Sequence, residues 1–268
     1  MDMKRIVFLI LALVAVSTAQ AQSYPDQFQE ALDRNDFKAQ RAILADWQLA
    51  APSDIDLYVA RWNYYVNSYM GEDQTGNLSD RDHAIVDSGF AVIDEAIALY
   101  PERLELRFGK IYFLGQIRQW DAFEKEIVRT LDYSEQIHHR WTFNDLMGQG
   151  KDLMTEGLQD YQSDMFATIA DKQHLTAADS AMVLRIRRVA HRTIQVFPSN
   201  VAAMNMLAVS HMLLEDYDVA VKHLLRAEKI EPTNPIVLAN LVQAYSRLGK
   251  KKETKIYQAR LDALPQQE

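Results

Sequence analysis

The sequence predicts an all-α fold, a stack of antiparallel helix pairs. Three observations carry this. Apolar residues recur at three- and four-residue steps nearly throughout the 268 residues, the period of helices with one buried face. The chain has only 9 glycines, and strand-type alternation is hard to find. Pro198 and Pro232 lie 34 residues apart and bracket two helical segments, Val201–Leu214 and Asp218–Ile230, joined by Glu215-Asp216-Tyr217. A 34-residue period is that of a helix–turn–helix solenoid repeat.

The first residues read as an address. Met1-Asp2-Met3-Lys4-Arg5 is basic, Ile6–Val16 is an unbroken apolar run, and Ala19 and Ala21 form an Ala-x-Ala site before Gln22. That is the pattern of a cleaved signal peptide, residues 1–21. The apolar run falls short of the roughly 20 residues a spanning helix needs. The expectation is an exported protein, periplasmic or secreted, with no integral membrane segment after cleavage. With no cysteine, lipidation at a processed N-terminal Cys, disulfides, thiolate zinc sites and thiol nucleophiles are excluded. Cleavage leaves 27 basic and 36 acidic side chains, a balance that argues against nucleic-acid partners.

In chain order, Phe28, Ala31 and Leu32 share one face of the first helix after Pro25, and Asn35-Asp36 breaks it. Asp36 is placed to cap the next helix, which carries Phe37, Ile43, Leu44 and Trp47 and stops before Pro52. Ile55–Tyr69 is the most aromatic stretch. Tyr58, Trp62, Tyr65 and Tyr69 are spaced 4, 3 and 4 apart, a core stripe. Tyr64 lies off it with Arg61 and Asn67, a polar and aromatic face that is the better candidate for contacting a partner. Gly71–Arg81 reads as a solvated loop; its acidic spacing fails the calcium-loop pattern. Helices are expected over Asp82–Tyr100, Leu104–Leu114 and Asp121–Leu131.

Regular spacing is lost from Tyr133 to about Gly150. A connection this long is a functional element or an insertion packed on the array, and Arg140 and Trp141 are its candidate contact residues. Lys151–His174 reads as one helix, and Thr176 with Asp179 as a capping box opening the next. Ile236–Leu248, a Gly249 stop and Lys250–Leu264 form the last pair. Its lysine-rich final helix is expected to be a polar cap. The domain reading is 1–21 signal peptide, 22–133 N-terminal hairpins, 134–163 insertion and connecting helix, and 164–268 C-terminal repeats.

These residues resemble the tetratricopeptide repeat family, in particular exported bacterial members. With Pro232 as the family's proline, Leu207-Ala208 take the Leu-Gly places and Ala220 and Leu224 the Ala-x3-Phe places, with Ala227 the second small residue. Met204 replaces Trp and His211 replaces Tyr. Leu241 and Tyr245 match in the last repeat, and Phe108-Gly109 with Tyr112 in the middle. The resemblance implies a right-handed superhelical solenoid of about five to six hairpins with an irregular middle. It implies a concave groove lined by the first helix of each pair, used for extended peptides or partner helices. The groove positions would be Ala202, Asn205, Val209 and Met212 in one repeat and Ile236, Ala239, Gln243 and Ser246 in the next.

No catalytic constellation is found. No two of the seven histidines have His-x3-His spacing, His211 is expected to be a packed interior side chain, and neither a Gly-x-Ser-x-Gly nor a phosphate-binding glycine loop is present. Asp179-Ser180-Ala181 resembles a bacterial O-glycosylation motif. The expected function is a non-catalytic, protein- or peptide-binding scaffold of the bacterial cell envelope without cofactor or metal. The expected contact residues are Arg61, Tyr64, Asn67, Arg140, Trp141, Asn205, Met212 and Gln243. The alternatives are an enzyme or small-molecule binder using the 134–150 insertion, and a structural subunit self-associating as a homo-oligomer through its terminal repeats.

Overall fold

The computed structural model describes residues 23–70, 80–143, 146–147, 150–169 and 174–265. The expected signal peptide and nearly all of the Gly71–Arg81 loop lie outside the described residues. Within them the order is α1 (Tyr24–Asp33), α2 (Phe37–Ala50), α3 (Ile55–Met70), α4 (Asp80–Leu99), α5 (Leu104–Gln116) and α6 (Trp120–Gln136). Two short strands follow, β1 (Thr142–Phe143) and β2 (Leu146–Met147). Then come α7 (Gly150–Ala167), α8 (Ala177–Val196), α9 (Val201–Met212), α10 (Tyr217–Ile230), α11 (Pro235–Arg247) and α12 (Lys251–Asp262). The fold is all-α, built largely of helices that pack on their neighbours in sequence.

The 34-residue period is visible at each boundary of the last two pairs. Asn200 and Asn234 cap α9 and α11; Asn200 Oδ1 accepts from the Ala203 N–H at 2.7 Å, and Asn234 Oδ1 from those of Ile236 and Val237 at 3.0 and 3.1 Å. One turn geometry recurs inside the pairs. Asn35, Arg118, Glu215 and Gly249 all sit at positive φ, between 53° and 70°. In each case the next N–H donates to a carbonyl five residues back: Asp36 to Ala31, Gln119 to Leu114, Asp216 to His211 and Lys250 to Tyr245, at 2.9–3.0 Å. This is the Schellman closure, which satisfies helix-end carbonyls and reverses the chain. A side chain in the left-handed region costs about 1–2 kcal/mol, yet glycine occupies only one of the four positions. The turn is imposed by the packing of the helices it joins. The caps expected at Asp36 and Thr176 form: Asp36 Oδ1 accepts from the Ala39 N–H at 3.0 Å, and Thr176 and Asp179 make the reciprocal box.

The chain divides into two compact units, Gln119 and before with Arg140–Gly150, and Trp120–His139 with Lys151 and after. Position 133, where the N-terminal hairpins were expected to end, falls inside α6. Position 163 falls inside α7.

In the first unit α1, α2 and α3 enclose Phe28, Leu44, Trp47, Leu57 and Ala60. A second core forms where α3 meets α4 and α5 around Tyr58, Trp62, Val66, Ile93 and Phe113. The expected stripe is inside: Tyr58 and Trp62 are buried, and Tyr65 and Tyr69 pack against them. The 140–150 segment carries the one departure from helix among the described residues. Thr142 pairs with Met147 and Phe143 with Leu146 as an antiparallel ladder. The Thr142 N–H donates to the Glu102 carbonyl at 3.0 Å, which ties β1 to the N-terminal end of α5.

In the second unit α8 packs on α9, α9 on α10, α10 on α11 and α11 on α12. Ala208, Ala220, Ala227 and Ala244 are fully buried where these helices cross. Small side chains there let the backbones approach. α6 packs on α8, and this contact carries a ladder of charge. Arg185 pairs with Asp121 and approaches Glu124 at 3.3 Å, Arg188 grips Glu124 at 2.5 and 2.7 Å, and Arg192 reaches Asp132 and Glu135 at 2.7 and 2.8 Å. Both sequences ascend along the ladder, so the two helices run parallel. Arg192→Ala removes two partners from a largely solvated rung and is expected to cost about 1 kcal/mol or less. Urea unfolding should show the difference shrinking in 1 M NaCl, where the Debye length is about 3 Å.

Candidate functional site

The second unit contains a cleft of about 780 Å³ lined chiefly by α7, α9, α11 and the α8–α9 turn. α7 supplies Thr155, Gln159 and Ser163, one residue per turn on a single face, with Glu156 beside them. α9 supplies Val201, Ala202, Asn205 and Met206, α11 supplies Ile236 and Val237, and the α8–α9 turn supplies Phe197 to Asn200. The floor is apolar: Val196, Phe197, Val201 and Val237 are buried beneath it. Ile236 stands 59% exposed at its edge, an apolar side chain with water on its outer face.

The rim is polar and acidic. Glu156 and Glu231 are both exposed, and no lysine or arginine lines the cleft among the described residues. Glu231 accepts from the Asn234 side-chain amide at 2.7 Å. His139 closes one end; its Nδ1 lies 2.9 Å from Ser134 Oγ, and its ring packs against Phe197 with centroids 4.8 Å apart. Asn205 is held by a bond from the Asn240 amide at 2.7 Å, which links α9 to α11 across one repeat. Such an arrangement can hold an extended or helical segment by apolar burial, with polar groups fixing its orientation.

Of the expected contact residues, Asn205 is in the cleft. Gln243 is exposed on α11 but outside it, and Arg140 is exposed in the first unit. Arg61, Tyr64 and Asn67 are half-buried on α3. Arg61 donates to Gln48 at 3.1 Å, and Tyr64 stands edge-on to Phe37 and Tyr65. Two residues need correction. Trp141 is 1% exposed, with the Arg107 guanidinium 5.7 Å from its ring, so it is a core side chain and offers no contact surface. Met212 is 8% exposed within the α9–α10 core. His211 is only half-buried. Ser180 is partly exposed, but the Asp179 of its motif is buried in the capping box.

The sequence missed α7 as a wall of the cleft and Glu156, Gln159 and Glu231 as its rim. The i, i+4, i+8 spacing of Thr155, Gln159 and Ser163 was the available signal. Among the described residues no group of three potential ligands could hold a metal ion, and no helix is long and apolar enough to cross a membrane.

Neither a family model nor a curated protein matches the chain. Among solved structures it is similar to PilW, a widely conserved type IV pilus biogenesis factor, at 13% identity and a TM-score of 0.42, covering 88% of this chain and 89% of that one. It is also similar to TTC0263, a thermophilic TPR protein of Thermus thermophilus, at 13% identity and a TM-score of 0.38, covering 76% and 89%. At these values neither neighbour says what this chain binds, and the assignment to helical repeats stands on the 34-residue period and the shared turns.

Proposed function

We propose that this protein is a non-catalytic scaffold of the bacterial cell envelope that binds a segment of a protein partner in the cleft of α7, α9 and α11. The observation that carries the reading is the apolar floor with Ile236 at its edge, in a cleft lined by α7, α9 and α11. Export rests on the basic start, apolar run and Ala-x-Ala site of residues 1–21.

A photo-crosslinking residue placed at Asn205 or Ile236 tests it in the native envelope. A discrete protein adduct is expected from both, and none from Leu49, which is 85% exposed in the first unit. Equal labelling from all three positions, or none from the cleft pair, would remove the cleft as a binding site. Ile236→Asp should reduce the adduct formed through Asn205 by about tenfold, the effect of losing about 1.4 kcal/mol of apolar burial.

A further inference from the structure

A second feature of the C-terminal unit lies away from the cleft. Arg187 and His191 are one turn apart on α8, and His223 and Arg226 one turn apart on α10, so each pair shares a helix face. The Arg187 guanidinium donates to Ser210 Oγ at 3.4 Å and to the Ser210 carbonyl at 3.2 Å. Ser210 adjoins His211 on α9. The His211 ring stacks on that of His223, with centroids 5.6 Å apart and planes 18° from parallel. Five side chains able to carry positive charge thus gather from three helices.

Their neutralisation is incomplete. Elsewhere in this unit Arg185, Arg188, Arg192 and Arg260 all hold carboxylates. Among the described residues Arg187 and Arg226 have no carboxylate within 4.0 Å. Asp216, in the α9–α10 turn, holds His211 Nδ1 at 3.0 Å. His223 Nδ1 is buried and has no hydrogen-bond partner. Burial pushes the pKa of His223 below the ordinary histidine value, and the charges of His211, Arg226, His191 and Arg187 push it the same way. Burial and Arg187 lower that of His211, against the pull of Asp216. Asp216 is thus the one carboxylate within 4.0 Å of the cluster among the described residues, and it meets His211 alone, leaving both guanidinium groups without an acidic partner.

We infer that Arg187, Arg226 and the His211–His223 pair form an oxyanion site that takes a phosphate group. The guanidinium forks match phosphate oxygens, and each protonated imidazole adds a donor. The site is distinct from the cleft. His211 follows the cleft residue Ala202 by nine positions, half a turn around α9 at about 100° per residue. It is therefore independent of the function proposed above.

The linkage has a definite sign. Both histidines are depressed when folded, so without an anion the unit is penalised as pH falls below the unfolded histidine value of about 6.5. A bound oxyanion favours the imidazolium forms, so its affinity rises as pH falls.

The test uses the whole protein, with sodium phosphate against sodium chloride at equal ionic strength, at pH 6.0 and 7.5. Sodium sulfate, which keeps two charges throughout, serves as the second probe. NMR of the histidine ring signals should show phosphate and sulfate raising the pKa of His211 and His223. Sulfate should bind at least about five-fold more tightly at pH 6.0. Arg226→Gln, at an exposed position, should abolish the response while retaining the helical circular dichroism, and Arg187→Gln should do the same. Sedimentation with phosphatidylglycerol vesicles, competed by phosphate and lost in Arg226→Gln, would make a lipid headgroup the source of the phosphate. Phosphate binding without vesicle binding would make it a soluble one. Identical histidine titrations in phosphate, sulfate and chloride, or an unchanged response in both arginine variants, would overturn the inference.

Discussion

Trp141→Ala is expected to lower the unfolding free energy by about 3–5 kcal/mol, the cost of deleting a large aromatic side chain from a packed interior. The residue sits in the connection between two helices, where a surface tryptophan would cost within about 0.5 kcal/mol. Its burial decides between these values. The ring is 1% exposed, the Arg107 guanidinium lies over it at 5.7 Å, and Arg107 is itself buried. Removing the ring opens a void and takes from a buried cation the π-face that helps compensate its lost hydration. The neighbouring Thr142 bonds to Glu102, which fasten the strand pair to α5, would then have to hold the segment without its anchor. Urea unfolding monitored by circular dichroism gives the energy, and limited proteolysis between 137 and 150 should quicken in the variant. Trp141→Phe should recover more than half of the loss.

The second large effect is expected at Trp62. Its ring meets Phe113 edge-on at 5.4 Å and Phe90 at 6.0 Å, and two glycines are shaped around this helix face. A Cβ built on Gly109 would lie 3.1 Å from Trp62 Nε1, and one built on Gly89 would lie 3.1 Å from Tyr65 Cβ and 3.5 Å from Trp62 Cζ3. Trp62→Ala is expected to cost about 3–5 kcal/mol. Gly109→Ala alone crowds the ring by a few tenths of an ångström and should cost about 1 kcal/mol. The two changes should be strongly non-additive, because removing the ring removes what the new methyl meets. A double-mutant cycle in urea checks this. Simple additivity would mean that Gly109 is needed for some reason other than the approach of the indole.

The reading of these two tryptophans from sequence differed for a physical reason. Trp62 belongs to a stripe spaced 4, 3 and 4 along one helix, and helical spacing alone puts such a stripe on the buried side. Trp141 has no periodic neighbours. Whether a side chain in an aperiodic segment points inward depends on where that segment is fastened, here by Thr142 to Glu102, forty residues earlier. Tyr64 shows the middle case. Its position off the stripe was legible, and it is indeed only half-buried, but its edge contact with Phe37 comes from a different helix.

For the cleft, Ala202, Asn205 and Ile236 were legible because the 34-residue register of the last repeats carries a lining position from one pair to the next. The α7 wall was not, since its stretch of sequence keeps no register with Pro198–Pro232. The stacked His211–His223 pair was likewise hidden. Twelve residues separate the two in sequence, and only the reversal of the chain at Glu215 brings the rings together.

The all-α class, the caps at Asp36 and Thr176 and the 34-residue period were legible without tertiary structure. Each of these depends on dihedral preferences and hydrogen bonds within a few residues, or on the repetition of such a unit. Tertiary structure alone decided the Arg–carboxylate ladder between α6 and α8, whose Arg185–Asp121 and Arg188–Glu124 partners lie 64 residues apart. It also decided the interior place of Trp141, the rim of the cleft and the cationic cluster beside Ser210. Those depend on how helices cross, and a crossing is set by the summed packing of whole faces, which no local pattern of residues specifies.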